Sequence, residues 1–177
     1  SEMQFMMDVN VFGPYRVTKA FSPLIIASQG RISNISSIAG IAAGPLFGPY
    51  AMSKFALEAF SESLSHEMTK FGVQVSVVEP GNFKSNIMKN MHKRLALMEA
   101  DDIPTSYKEE YKALGSFTAI DRSHHRDPVA VANAVIQAFS SLENRPLQCT
   151  HLQKDKKACA HNAKKQERNC EYLQTMV

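Results

Sequence analysis

The sequence predicts an α/β chain: part of a doubly wound parallel sheet with helices packed on its faces. Two observations carry that prediction. A short β-branched run at residues 31–36 is followed by a long helical pattern at 50–71 and a second apolar run at 73–78, and a clean helix pattern returns at 129–139. Strand and helix in alternation imply parallel pairing, because a parallel neighbour needs a crossover and a helix is the usual one. The second observation is size: 177 residues, 44% of them apolar, suffice for one domain with a buried core.

The elements follow in order. Residues 3–28 read as a helix, with Phe5, Val9, Phe12, Val17, Ala20 and Leu24 at helical spacing. Pro14 inside it and Pro23 near its end predict a kink or a break. Ile32 and Ile35 suit a buried strand. The helix at 50–71 places Ala56, Phe60, Leu64 and Met68 on one side, and Gly72 caps its end. The strand at 73–78 is stopped by Pro80-Gly81. From residue 82 to about 123 the pattern weakens: Asp101-Asp102-Ile103-Pro104 reads as a loop, residues 107–114 as a short helix, and His124-His125 as exposed loop. Asp127 then serves as N-cap and Pro128 as first residue of the helix at 129–139. Residues 146–150 are a weak strand candidate. The stretch from His151 to Gln174 is polar, lysine-rich and poorly patterned, so the chain divides into a folded part at 1–150 and a basic tail at 151–177.

Charge separates the same two parts. Residues 1–150 hold 14 Lys/Arg and 14 Asp/Glu, while residues 151–177 hold 6 and 3, which accounts for the net charge of +3. The folded part offers no electrostatic basis for nucleic-acid binding. No apolar run is long enough to span a bilayer, and Ser1-Glu2-Met3 lacks the basic start of a secretory leader. Cys149, Cys159 and Cys170 are odd in number and lie far from the other motifs, which speaks against a disulfide framework and for a reducing, cytoplasmic setting. Cys149-Thr150-His151 and Cys159-Ala160-His161 repeat a Cys-x-His pattern, but zinc sites favour wider spacings, so no metal is expected.

The chemistry concentrates in Ser37, Tyr50 and Lys54. Tyr50 and Lys54 are four residues apart, so on a helix they share one face, one turn apart. An ammonium beside a phenol stabilises the phenolate, and a phenol tuned toward neutrality can exchange a proton with an alcohol or carbonyl. An upstream serine can hydrogen-bond the same oxygen. Spacing alone is not specific: Tyr15 and Lys19 repeat it, and such pairs are ordinary features of helix surfaces. Context separates the two pairs, because only Tyr50 follows a β-like run, a Ser-Ser step and a small-residue loop.

That context resembles the short-chain dehydrogenase/reductase family. Four motifs occur in order: Asp8-Val9-Asn10-Val11-Phe12-Gly13, then Asn34-Ile35-Ser36-Ser37-Ile38-Ala39-Gly40, then Tyr50 to Lys54, then Glu79-Pro80-Gly81. The resemblance covers roughly residues 3–145 and implies a partial Rossmann-like sheet, the C-terminal half of such a domain. It implies that Tyr50 is the general acid/base and that Lys54 lowers its pKa and binds the nicotinamide ribose. It further implies that Ser37 holds the substrate oxygen and that Asn10, at a helix bend, anchors a proton-relaying water. Pro80, Gly81, Phe83 and Ser85 fall where the family meets the nicotinamide, Phe83 replacing a smaller Val or Ile and Ser85 a Thr. The implied cofactor is NAD or NADP, and the implied substrate is a small apolar alcohol or carbonyl of the hydroxysteroid or retinoid kind. Ile87, Met88, Met91, Leu95, Leu97 and Met98 are candidates to line its site.

The family's glycine-rich pyrophosphate loop, Thr-Gly-x-x-x-Gly-x-Gly, is absent; Gly40, Gly44 and Gly48 have the wrong spacing. The expectation is therefore a chain lacking the N-terminal cofactor-binding half, in which the residues that choose between NAD and NADP lie. It also predicts a sheet edge left open where the missing strands pair. The resemblance implies a homo-oligomer through the helices at 3–28 and 50–71. The alternative expectation is a catalytically incompetent half-fold that acts as a dimerisation module.

Overall fold

The computed structural model describes residues 2–97, 105–121, 123–140 and 147–151. The loop expected at 101–104, Met98 and the stretch beyond His151 lie outside the described residues. The described residues fall into two compact units: one holds the residues up to Gly81 and those from Val131 on, the other is Asn82–Ala130.

In the first unit, α1 (Glu2–Met7) passes through a π-helical turn, Asp8–Phe12, into α2 (Gly13–Ala27). The expected single helix is thus two segments, and the cause is Pro14. A proline has no N–H to give the carbonyl four residues back, which is that of Asn10. The chain takes i→i−5 bonding instead, with the Gly13 N–H donating to the Asp8 carbonyl. Pro23 is carried inside α2 without ending it.

Strand β1 (Arg31–Ile35) pairs parallel with β2 (Gln74–Glu79), Ile32 opposite Val75 and Asn34 opposite Val77. Strand β3 (Leu147–His151) pairs parallel on the other side of β2, from Val75 opposite Leu147 to Glu79 opposite His151. The weak candidate at 146–150 is therefore a strand, and the order is β1-β2-β3. Central β2 is buried at every position from Val75 to Glu79, as a strand covered on both faces must be.

Between β1 and β2 runs α3 (Gly48–Thr69), two residues earlier at its start than expected, with Pro49 in its first turn. Gly72, at φ +72°, makes the turn into β2. The core forms where Leu64 and Met68 of α3 meet Ile32, Val73 and Val75, with Ile25, Ile26 and Phe60 packed around them. The buried stripe of α3 differs from the one expected. It reads Ala51, Ser53, Leu57, Ser61, Leu64, Ser65 and Met68, while Ala56 and Phe60 are only half-buried. Small hydroxyl residues sit on the sheet-facing side because each is satisfied there. Asn34 Nδ2 donates to Ser61 Oγ at 2.8 Å, and Ser61 Oγ donates to the Leu57 carbonyl at 2.7 Å.

Helix α6 (Val129–Ser140) is joined to β1 by Arg31, whose Nη1 donates to the Ala138 carbonyl at 3.0 Å. The second unit carries α4 (Ile87–Ala96) and α5 (Lys108–Ala119), the latter entered by a 3₁₀ turn at Thr105–Tyr107. The weakly patterned stretch after residue 82 is thus helical in good part, and the short helix expected at 107–114 runs on to Ala119. Tyr111 OH donates to the Leu95 carbonyl at 2.6 Å and joins α5 to α4. The Asp127 cap is present: the Val129 N–H donates to its Oδ1 at 2.8 Å. No described helix is long and apolar enough to cross a membrane.

Candidate active site

The candidate site lies at the carboxyl ends of β1 and β2, where open α/β sheets receive ligands. Past the end of β1 the chain stays beside β2: the Ser36 N–H donates to the Val78 carbonyl at 2.8 Å and the Ile38 N–H to the Pro80 carbonyl at 3.1 Å. Those two bonds fix Ser37 between them. Its backbone is extended, at φ −167° and ψ 160°, and it caps a 3₁₀ turn at Ile38–Gly40. The Ser37 Oγ accepts the Ala39 N–H at 3.1 Å, which leaves its own O–H free to donate to a ligand.

Helix α3 begins a short loop later, and its first two turns carry Tyr50 and Lys54. Lys54 lies half-buried with its Nζ donating to the Ile35 carbonyl at 3.0 Å, and the same Nζ stands 5.9 Å from the centre of the Tyr50 ring. Burial pulls the Lys54 pKa below its usual value, while the carboxylate of Glu58, one turn further along α3, opposes that shift. The lysine is thus a cation held in a poor solvent, fastened to a strand end, beside the phenol.

Asn10 reaches the same helix from the π-helical turn. Its Nδ2 donates to Ser53 Oγ at 3.0 Å, and Ser53 Oγ donates to the Tyr50 carbonyl at 2.8 Å. Asn10 and Lys54 both line a cavity of about 580 Å³ that runs along the outer edge of β1, where Val9, Val17 and Phe21 make much of its wall. Among the described residues β1 has a strand on one side only, and Ile35 is 42% exposed there.

Six of the eight predicted site residues, Asn10, Ser37, Tyr50, Lys54, Pro80 and Gly81, therefore belong to the first unit. Phe83 and Ser85 belong to the second. Phe83 is buried with the Arg126 guanidinium 5.4 Å from its ring centre, and Ser85 is exposed. Sequence reading missed Ser53, which ties Asn10 to Tyr50, although it falls inside the Tyr-x-x-x-Lys segment. It also missed the role of Gly40. A Cβ at Gly40 would stand 2.8 Å from Ser36 Oγ and 2.9 Å from Glu58 Cγ, so only glycine lets the turn close on α3.

The residues present suit one end of a nicotinamide cofactor. A half-buried ammonium at the end of β1, a serine hydroxyl just beyond it and a half-exposed phenol one helical turn from the ammonium are donors of the kind a ribose and a carbonyl oxygen require.

The sequence profile of the short chain dehydrogenase family matches residues 1–96. Mitochondrial D-beta-hydroxybutyrate dehydrogenase of Mus musculus is 36% identical over 143 residues, 76% of this chain and 42% of that protein. Retinol dehydrogenase 5 of Mus musculus is 49% identical over 87 residues, 49% of this chain and 27% of that protein. A short-chain dehydrogenase from Streptomyces avermitilis superposes with a TM-score of 0.66 at 24% identity, covering 99% of this chain and 61% of that one. The chain thus spans less than half the length of the two mouse relatives. The profile match over residues 1–96, more than half of the chain, shows that the chain belongs to the short chain dehydrogenase family.

Proposed function

We propose that the protein of which these residues form the catalytic part is an oxidoreductase that interconverts an alcohol and a ketone or aldehyde with NAD or NADP. The observation that carries this reading is Lys54: an ammonium with lowered pKa, anchored to the end of β1 and one turn from a phenol. The cofactor, when bound, supplies or accepts the hydride. Tyr50 gives the substrate oxygen its proton during reduction and takes it during oxidation. The positive charge of Lys54 stabilises the phenolate that forms when Tyr50 gives up its proton. Ser37 donates its free hydroxyl proton to the same substrate oxygen and stabilises charge that builds there. Asn10 shares the cavity with Lys54, so water held there can pass the proton onward from Tyr50.

Pro80 and Gly81, just past the end of β2, are proposed to meet the nicotinamide through their backbone. Along α4 the residues Met88, Met91 and Leu95 are half-buried and Ile87 is exposed, a flexible apolar surface of the kind an apolar substrate uses. The helices on either side of the site leave Phe5, Phe12, Leu24 and Phe55 exposed, which supports a homo-oligomer through α1, α2 and α3.

Steady-state turnover of the protein containing this chain, assayed with each nicotinamide cofactor against a panel of secondary alcohols and their ketones, tests the reading. The expected result is reversible hydride transfer that Tyr50→Phe abolishes and Tyr15→Phe leaves alone. Equal turnover in wild type and Tyr50→Phe would overturn it.

A further inference from the structure

One ionisable side chain beside the proposed site has no part in the chemistry above. Glu58 lies one turn beyond Lys54 on α3, so the two side chains share a face. Its Oε1 is shut off from solvent although the residue as a whole is only half-buried. The carboxylate arm is pressed against the turn that carries Ser37: at the place a Cβ of Gly40 would take, Glu58 Cγ is 2.9 Å away and Glu58 Oε1 is 3.1 Å away. Ser36 Oγ approaches the same point to 2.8 Å and is also buried. Gly40 is therefore bare where Glu58 lies, and the glutamate is the side chain over which the Ser36–Gly40 backbone folds.

We infer that Glu58 is a positioning residue of this site: its carboxylate balances the Lys54 ammonium while its side chain holds the Ser37 turn against α3. This inference rests on the proposed proton-transfer role of Tyr50 and Lys54, and extends it to the question of what keeps the two halves of the device in register. The other charged groups around Lys54 do not serve that purpose. Arg31 lines the same cavity but is a cation, and it is engaged with the Ala138 carbonyl. Asp8, in the π-helical turn, stands with its carboxylate 3.8 Å from Arg16. The turn itself offers serine hydroxyls and backbone, and β1 offers the Ile35 carbonyl. Glu58 is also the charge whose pull on Lys54 opposes the effect of burial. A negative charge one helical turn away favours the protonated lysine, and a protonated lysine is what the phenolate of Tyr50 needs.

The test is made on the full chain with lysines labelled at ¹³Cε, the Lys54 resonance being identified by its loss in Lys54→Arg. In Glu58→Gln the titration midpoint of Lys54 is expected to fall by about one pH unit, the lower end of what a close opposite charge contributes at a partly buried site. In Glu58→Asp, which keeps the charge on a shorter arm, the midpoint is expected to move less, while the amide resonances of Ser36–Gly40 shift in both variants. In the active protein the pH–rate profile of Glu58→Gln is expected to move in step with the Lys54 midpoint, which a merely structural glutamate would not cause. An unchanged Lys54 midpoint in folded Glu58→Gln overturns the inference. If Glu58→Gln does not fold, a Glu58→Asp variant with unchanged turn amides overturns it instead. Turnover retained by Tyr50→Phe overturns the proton-transfer reading and leaves the Lys54 titration to be judged separately.

Discussion

Two Tyr-x-x-x-Lys pairs on two adjacent helices have the same spacing and different surroundings. Tyr15 and Lys19 lie on the outward side of α2: both are exposed, and the Tyr15 ring leans edge-on against Phe60 with centres 5.9 Å apart. Tyr50 and Lys54 stand at the start of α3, where the lysine is drawn in to a strand-end carbonyl at 3.0 Å. Spacing puts a phenol and an ammonium on one face in both cases. At the second pair the fold takes water from the ammonium, and burial there pulls the Lys54 pKa below its usual value. What makes the second pair a candidate device is the end of β1, which supplies both the burial and the partner.

The largest expected effect separates the two tyrosines. Tyr50→Phe removes the only proton the phenol can exchange and is expected to lower turnover by about 10²–10⁴-fold, the usual contribution of a positioned general acid or base. Tyr15→Phe is expected to leave turnover within about twofold, because its ring contact with Phe60 survives the loss of the hydroxyl. Steady-state kinetics of both variants under one set of conditions decides the matter, and similar losses would end the comparison.

The lysines come next. Lys54→Met keeps the bulk of the side chain and loses the bond to the Ile35 carbonyl and the charge beside Tyr50. Turnover is expected to fall by about 10²-fold, with a changed pH profile because the Lys54 ammonium no longer titrates beside the phenol. Lys19→Met should change neither. The split between kcat and the pH profile is the useful readout, since a fold-wide defect lowers kcat without moving the profile.

A third contrast lies within one loop. Gly40 meets Ser36 Oγ and Glu58 where a Cβ would go, while Gly44 and Gly48 have nothing within 4 Å of that position. Gly40→Ala is expected to cost about 1–3 kcal/mol, the usual range for forcing a methyl into a packed site. Gly44→Ala should stay within about 0.5 kcal/mol, as exposed substitutions do. Chemical denaturation of the two variants checks both figures.

Much of this was legible in the sequence, for reasons that differ by element. The two strands and α3 announce themselves because two short β-branched runs flank one long helical stretch that Pro49 opens and Gly72 ends, and Asp127 marks the start of α6 by its capping chemistry. The four motifs of the site were readable because each is a short run whose spacing is fixed by one strand end or one helix turn. Three features were not readable. The break at Asn10 was foreseen as a bend, but that it takes π-helical form depends on which carbonyl loses its donor to Pro14. The serine stripe of α3 is invisible in the sequence, since nothing local shows that Ser61 meets Asn34 across 27 residues of chain. The helix α4 was obscured by its composition: its less exposed side rests on half-buried Met88, Met91 and Leu95, while Lys89, Asn90, Lys93 and Arg94 fill the rest.

The smallest expected effect concerns stability and its sign. Lys54 carries a pKa below its usual value in the folded chain, so over the interval from that lowered value up to about 10.5 the unfolded chain binds a proton that the folded chain has released. Stability contributed by this group therefore rises as pH climbs through that window and is lowest below the folded pKa, where the charged ammonium must be kept partly buried. Lys54→Met removes the linkage. The denaturation free energy of the wild-type chain is expected to gain on that of Lys54→Met as pH rises from neutrality toward 10.5, whichever is the more stable at pH 7. Lys19→Met supplies the comparison at an exposed lysine of the same spacing. Parallel curves for wild type and Lys54→Met would mean that the ammonium is as well solvated as its counterpart on α2, and the distinction between the two pairs would then rest on the Ile35 carbonyl alone.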